Sequence, residues 1–302
     1  MALTLANDDI LHGALSAVQS EVDAAFDSLM PIPRDTRARL VDAMRYAAIG
    51  GGKRVRPLLL TATAEMFGVD REAAVRTGCA VEAIHVYSLI HDDLPCMDDD
   101  DLRHGKPTLH KQFDEATAVL AGDSLHALAF EILSNLSTSG DPFTRAELIS
   151  TLATASGMSG MAGGQMMDMV AEDSDYDLHA VTRLQQLKTG ALLAASVEMG
   201  AILGKVAPEG RAHLRLYARD IGLAFQIADD LLDHEGDESK AGKALRKDTE
   251  QGKQTFVTLM GAEGAREQAR ALVDQAVDHL AGYGEDAALL AALARYIVER
   301  DR

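Results

Sequence analysis

The chain has 302 residues, 47% of them apolar and only 4% aromatic, with no tryptophan and a formal net charge of −18. That charge argues against nucleic acid as a partner, since backbone phosphates need clustered Lys and Arg; no apolar run approaches the ~18 residues of a membrane span. Two cysteines, Cys79 and Cys96, and a beginning without a basic start or a long apolar stretch predict a reducing, cytoplasmic setting with no leader.

Ala, Leu, Met and Glu, all strong helix formers, are abundant, and helical periodicity runs from end to end. Leu11, Leu15, Val18, Val22, Ala25, Phe26 and Leu29 recur at spacings of three and four, ending before Pro31 and Pro33. A second helix is expected over 36–49, stopped by Gly50-Gly51-Gly52, and a third has Pro57 in its first turn and runs through Phe67. Asp70 caps a fourth, predicted over 71–93; Pro95 ends it by disfavouring helical geometry at Leu94. Further helices are predicted at 114–136, 142–155, 160–171, 178–189, 191–203, 208–235, 255–261, 263–281 and 285–299. No linker or solenoid repeat divides the chain. The expected fold is all-α, a single large bundle of about ten or more helices around a central cleft, with residues 1–302 forming one domain.

Two of these helices run into aspartate clusters. One is Asp92-Asp93-Leu94-Pro95-Cys96-Met97-Asp98, continuing through Asp101; the other is Asp229-Asp230-Leu231-Leu232-Asp233. A solvated acidic loop accounts for one such run but poorly for two, because like charges packed so closely repel unless a cation sits among them. Oxygen-only ligands point to Mg²⁺, with Mn²⁺ as a substitute; Mg²⁺ keeps several waters and shares its shell with substrate phosphates. The basic residues are bunched as well: Lys53, Arg54 and Arg56, then Arg103 and Lys106, then Lys240 through Lys253. Asp229 and Asp233 fall ~6 Å apart along one helix face, with Gln226 one turn below. His85 lies two turns below Asp92, Ser88 one turn below, and Tyr87 beside it. A carboxylate-lined mouth above an apolar cleft suits a substrate with a diphosphate head and a hydrocarbon tail. Elsewhere, Met158, Met161, Met166, Met167 and Met169 read as core. Gly163, Gly164, Gln165 and Asp168 read as helix packing and support. Glu82 and His85 form the only Glu-x-x-His pair, too few for a di-iron bundle.

The stretches GGKRVRP from Gly51, HDDLPCMDDDDLRHGKPT from His91, Lys188-Thr189-Gly190 and FQIADDLLD from Phe225 together resemble the trans-isoprenyl diphosphate synthases, in particular their bacterial farnesyl branch. The resemblance implies a Mg²⁺-dependent prenyltransferase that condenses isopentenyl diphosphate head-to-tail with dimethylallyl and then geranyl diphosphate. Products of ten or twenty carbons are the alternatives. A second DDxxD motif weighs against a terpene cyclase, and two intact clusters weigh against a silent regulatory subunit. By the same resemblance, Asp92, Asp98 and Asp229 hold three Mg²⁺ on the allylic diphosphate, with Asp93 and Asp233 in support. Arg103, Lys188 and Lys243 add positive charge, and Lys253 belongs to the substrate contacts. Lys53, Arg56 and His85 grip isopentenyl diphosphate. Thr189, Gln226 and the backbone at Lys188, where the helix is broken before Gly190, line the allylic cation. Tyr87, with Ser88, limits product length, and the protein is a homodimer. One position departs from the family: most relatives read Arg-Arg-Gly where this chain has Arg103-His104-Gly105. His104 is expected to join the isopentenyl diphosphate contacts, with its pKa raised by that anion.

Overall fold

A computed structural model describes residues 2–171, 176–235 and 254–299, with the side chains of 2–9 left aside. Helices α1 (Ala2–Leu29), α2 (Ala38–Ala48), α3 (Val55–Met66) and α4 (Arg71–Asp92) are followed by a short hairpin of β1 (Leu102–Arg103) and β2 (Lys106–Pro107). Then come α5 (Leu109–Gln112), α6 (Glu115–Ser134), α7 (Pro142–Ser156), α8 (Met161–Ala171) and α9 (Leu178–Gln185). A π-helical turn (Gln186–Gly190) leads into α10 (Ala191–Leu203), and α11 (Ala212–Glu235), α12 (Phe256–His279) and α13 (Ala288–Glu299) complete the order. The all-α expectation holds. Several starts follow from side-chain caps: Asp70 accepts from the Ala73 N–H at 3.1 Å, Asp114 from Thr117 at 2.7 Å and Asp177 from Ala180 at 2.8 Å.

Three local readings need correction. The hairpin was not foreseen: His104 and Gly105 both take positive φ, 52° and 75°, which lets a two-residue turn pair Arg103 with Lys106. The helix expected over 208–235 opens with a 3₁₀ turn, Pro208–Arg211. The break expected between 255–261 and 263–281 is present: Gly261, at φ 74° and ψ 157°, interrupts the helical backbone within Phe256–His279. The last helix is preceded by a 3₁₀ stretch, Ala281–Ala287.

α10 is the axis of the bundle, buried almost all round. Gly200 lets it approach α3 closely, since a Cβ there would lie 2.6 Å from the Leu60 carbonyl oxygen. Among the described residues α6 alone is long and apolar enough to cross a membrane by length and composition; here it packs along α4, burying Ala118, Leu125 and Ile132.

Arg54 ties the N-terminal helices together. It stands at the N-cap of α3 with a left-handed φ of 51° and is 3% exposed. Its guanidinium donates to Glu82 of α4 at 2.8 Å, to Asp23 of α1 at 2.7 Å and to the Ala48 carbonyl at the end of α2. Removing one partner from a buried pair strands the other charge. Arg54→Met is therefore expected to cost roughly 3 kcal/mol in urea unfolding, whereas Arg37→Met, at an exposed pair with Asp35, should leave the unfolding midpoint near that of wild type.

Candidate active site

At the end of α4 the chain turns back on itself. The Asp98 N–H donates to the Asp92 carbonyl at 2.8 Å, and Asp99, at φ 49°, donates to the Leu94 carbonyl at 3.2 Å. Leu94, buried, is the apolar plug beneath this loop. The fold-back brings Asp98 near Asp92. Burial, with added repulsion from Asp98 and Asp93, pushes the Asp92 carboxyl up to about 6 against the pull of Lys188 and Arg103. Asp93 faces the other way. It is buried and accepts from Arg103 Nε at 3.0 Å, while the same guanidinium reaches Asp100 at 3.1 Å.

In the second cluster, Asp229 and Asp233 are half-buried along one face of α11. Asp230, between them, accepts from the Phe256 N–H at 2.8 Å and thereby anchors the start of α12. Gln226 donates to Asp229 at 3.2 Å and accepts from the Thr189 hydroxyl at 2.9 Å. Lys188 pairs with Asp168 at 2.8 Å, and its ammonium is further stabilised by Asp92 and Asp98. Lys188 and Thr189 both belong to the π-helical turn. The helix expected to break before Gly190 instead widens for one turn and continues into α10. Such π-bulges concentrate at functional sites. Two glycines seat it. A Cβ on Gly164 would lie 2.2 Å from the Lys188 nitrogen, and one on Gly222 would lie 3.2 Å from Gly190 Cα.

Two cavities meet at this place, and His85 and Leu89 line both. The larger, about 460 Å³, takes in Arg56, Asp92, Lys188 and Thr189 at one side and Tyr87, Ser88 and Met161 among its walls. The smaller, about 80 Å³, is bordered by Gly51, Gly52, Asp93, Arg103, His104 and Lys106. Arg56 is half-buried; its Nε has no hydrogen-bond partner among the described residues, and its charge feels both Glu82 and Asp229. Lys53 is exposed, close enough to bear on His104. Lys243 and Lys253 lie outside the described residues.

The protein's own groups around His104 act in the opposite sense to the anion expected beside it. Burial first, then Arg103, Arg54 and Lys53, lowers its pKa, with only Glu82 opposing. His85 is held well below its ordinary value by enclosure and by Arg56 and His104.

Among the described residues no three His, Cys, Asp or Glu side chains are drawn together tightly enough to cage an ion alone. That fits Mg²⁺, which keeps waters and uses substrate phosphates to complete its shell. The repulsion at Asp92 is what a bound cation would relieve. The core reading of the methionines holds for Met161, 7% exposed, and fails for the others. Met161, Met166 and Met169, with Met97, line the large cavity, and Met158 and Met166 are 90% and 59% exposed. Residues 161, 165, 166 and 169 share a helix face, a spacing that could have shown a wall. Gln165 also lines this cavity, both its amide atoms buried and without partners among the described residues.

A family model described as polyprenyl synthetase matches residues 37–292. Farnesyl diphosphate synthase of Escherichia coli K12 is 47% identical over 270 residues, covering 87% of this chain and 90% of that protein. The crystal structure of an FPP/GFPP synthase from Zymomonas mobilis superposes with a TM-score of 0.90 at 56% identity, covering 98% of this chain and all of that one. Geranyltransferase from Helicobacter pylori, complexed with magnesium and isoprenyl diphosphate, gives 0.80 at 32% identity, covering 95% and 96%.

The lowered pKa of His85 has a consequence for stability. Between its folded value and the ~6.5 of a free histidine, the unfolded chain binds the extra proton, so stability falls as pH drops through that window. Asp92, raised by burial, works in the opposite sense below about 6, so only a difference is diagnostic. The stability of His85→Gln minus that of wild type is expected to rise as pH falls from roughly 7 to 5. Parallel curves in thermal unfolding would contradict this.

Proposed function

The chain belongs to the polyprenyl synthetase family, and from that premise we propose that it joins isopentenyl diphosphate head-to-tail to dimethylallyl and then geranyl diphosphate, releasing farnesyl diphosphate. The observation that carries this reading is that both aspartate clusters are tied to one largely apolar cavity: Asp92 lines it, and Thr189 in the same wall is joined through Gln226 to Asp229. The allylic diphosphate sits at the mouth between those clusters, beside Lys188 and Arg56. Mg²⁺, three ions in this reading with Mn²⁺ as a substitute, supplies Lewis-acid stabilisation of the charge that builds on the departing diphosphate. Asp92, Asp98 and Asp229 would hold the ions, with Asp233 in support. Asp93 acts at one remove, by fixing Arg103.

The cation left behind is lined by Thr189, oriented by Gln226 and through it by Asp229; the exclusion of water keeps it from being quenched. The smaller cavity receives isopentenyl diphosphate. Arg103, Lys53 and Lys106 supply charge, and His104 and His85 supply hydrogen bonds. The double bond then reaches the allylic carbon past His85 and Leu89, where the two cavities meet. The final proton leaves with the released diphosphate. The growing tail runs down the methionine wall of α8 until Tyr87 stops it. Similarity to an FPP/GFPP synthase favours, as a second reading, a product longer than fifteen carbons.

We read residues 1–302 as one domain, cytoplasmic and homodimeric. The exposed face of α6 supports the dimer: Val119 and Leu120 are 40% and 55% exposed, with Ala116 and Ala127 beside them. A stable pairing buries about 1,600 Å², and light scattering that returns one chain per particle would oppose it.

Asp92→Ala and Asp229→Ala are each expected to lower kcat by at least about a thousandfold with the helical signal intact, roughly 4 kcal/mol of transition-state stabilisation. Chelation should abolish turnover reversibly. A variant keeping more than about a tenth of wild-type kcat would remove that residue from the metal set.

A further inference from the structure

Tyr87 lines the large cavity on the α4 side, and its hydroxyl has no hydrogen-bond partner among the described residues. Its orientation is therefore set by ring contacts. His91, one turn on along α4, meets it edge-on at 5.7 Å between centroids and 75° between planes. His126 of α6 meets it from the neighbouring helix at 5.0 Å and 77°, and Phe130 backs His126 at 5.3 Å and 74°. His91 is itself seated tightly: a Cβ on Gly122 would lie 2.2 Å from its Nε2, and that nitrogen is 3.2 Å from the Val119 carbonyl oxygen. His126 is different. It is exposed, it is not among the residues lining the cavity, and its ring contacts are Tyr87 and Phe130. A core role does not explain a ring placed there, and no substrate contact does either; His126 shares the exposed face of α6 with Val119 and Ala127, so its variants are compared with wild type at equal oligomeric state by light scattering.

We propose that His126 is a positioning residue for product length, holding the Tyr87 ring across the path of the growing chain from outside the cavity. This rests on reading the large cavity as the chamber for that chain. A tyrosine clamped on both edges is a stiff barrier. With one edge released, the ring can swing about χ1 and χ2 towards the space His126 leaves, and a longer tail can pass. Edge-to-face pairs are weak, so the expected shift is a leak and not a conversion.

The test is the product distribution made from isopentenyl and geranyl diphosphates by purified variants. His126→Ala is expected to raise the ratio of twenty- to fifteen-carbon product by about three- to tenfold, the size an edge-to-face contact supports. Its melting temperature and the kcat of the geranyl step should stay near wild type. His126→Phe keeps an edge-on ring and should return the ratio to the wild-type value. Tyr87→Ala should lengthen products more, and Tyr87→Ala/His126→Ala no further than Tyr87→Ala alone, because His126 acts through Tyr87. An unchanged ratio in His126→Ala beside a lengthened Tyr87→Ala would overturn the inference and leave the chamber reading standing. So would a His126→Phe variant as leaky as alanine, or an added effect of His126→Ala in the Tyr87→Ala background. Unchanged products in Tyr87→Ala itself would overturn the chamber reading, and the inference with it.

Discussion

One turn of π-helix holds the two halves of this site in register. A regular α-helix over Gln186–Gly190 would rotate Lys188 and Thr189 by the extra residue that the wide turn absorbs. As built, Lys188 points to Asp168, Asp92 and Asp98 on one wall, and Thr189 reaches Gln226 and so Asp229 on the other. Neighbouring residues of a single turn thus serve both carboxylate groups. The turn can sit this deep because Gly164 and Gly222 present no Cβ to it. Packing that sequence reading takes for ordinary helix contact is therefore a condition of the chemistry.

Charge is the second constraint. A protein of net charge −18 that binds two diphosphates must separate its acids by task. Asp230 and Asp93 are consumed internally, one anchoring α12 and the other fixing Arg103. Asp70, Asp114 and Asp177 cap helices. Asp92 is left in an environment that raises its pKa to about 6, a site that gains from any cation brought near it. The cations divide likewise: Arg54 is held in buried pairs at the edge of the small cavity, Arg103 lines that cavity too, and Arg56 and Lys188 line the large one. Adjacent motif residues with the same charge thus do different work.

Helix content, most boundaries and the paired aspartate clusters were legible because they rest on local pattern: apolar spacing, caps, and carboxylates at helix ends. What was not legible depends on tertiary neighbours. The π-helical turn has no composition of its own and was read as a break at Gly190. The hairpin at His104-Gly105 was hidden by its brevity. Asp93 and Asp230 look equivalent to their neighbours until the elements packed against them are known. The α8 methionines were judged by hydrophobicity, which cannot tell a core face from a cavity wall when both are apolar. The raised pKa expected for His104 rests on its ligand alone; partial desolvation and the neighbouring Arg103, Arg54 and Lys53 push the other way.

The most direct measurement is the product and stoichiometry of the purified wild-type protein supplied with isopentenyl and dimethylallyl diphosphates and Mg²⁺. The account predicts farnesyl diphosphate as the main product, one inorganic diphosphate released per isopentenyl unit consumed, and no product when Mg²⁺ is chelated. A cyclised hydrocarbon, diphosphate release without chain growth, or undiminished turnover in chelator would contradict it.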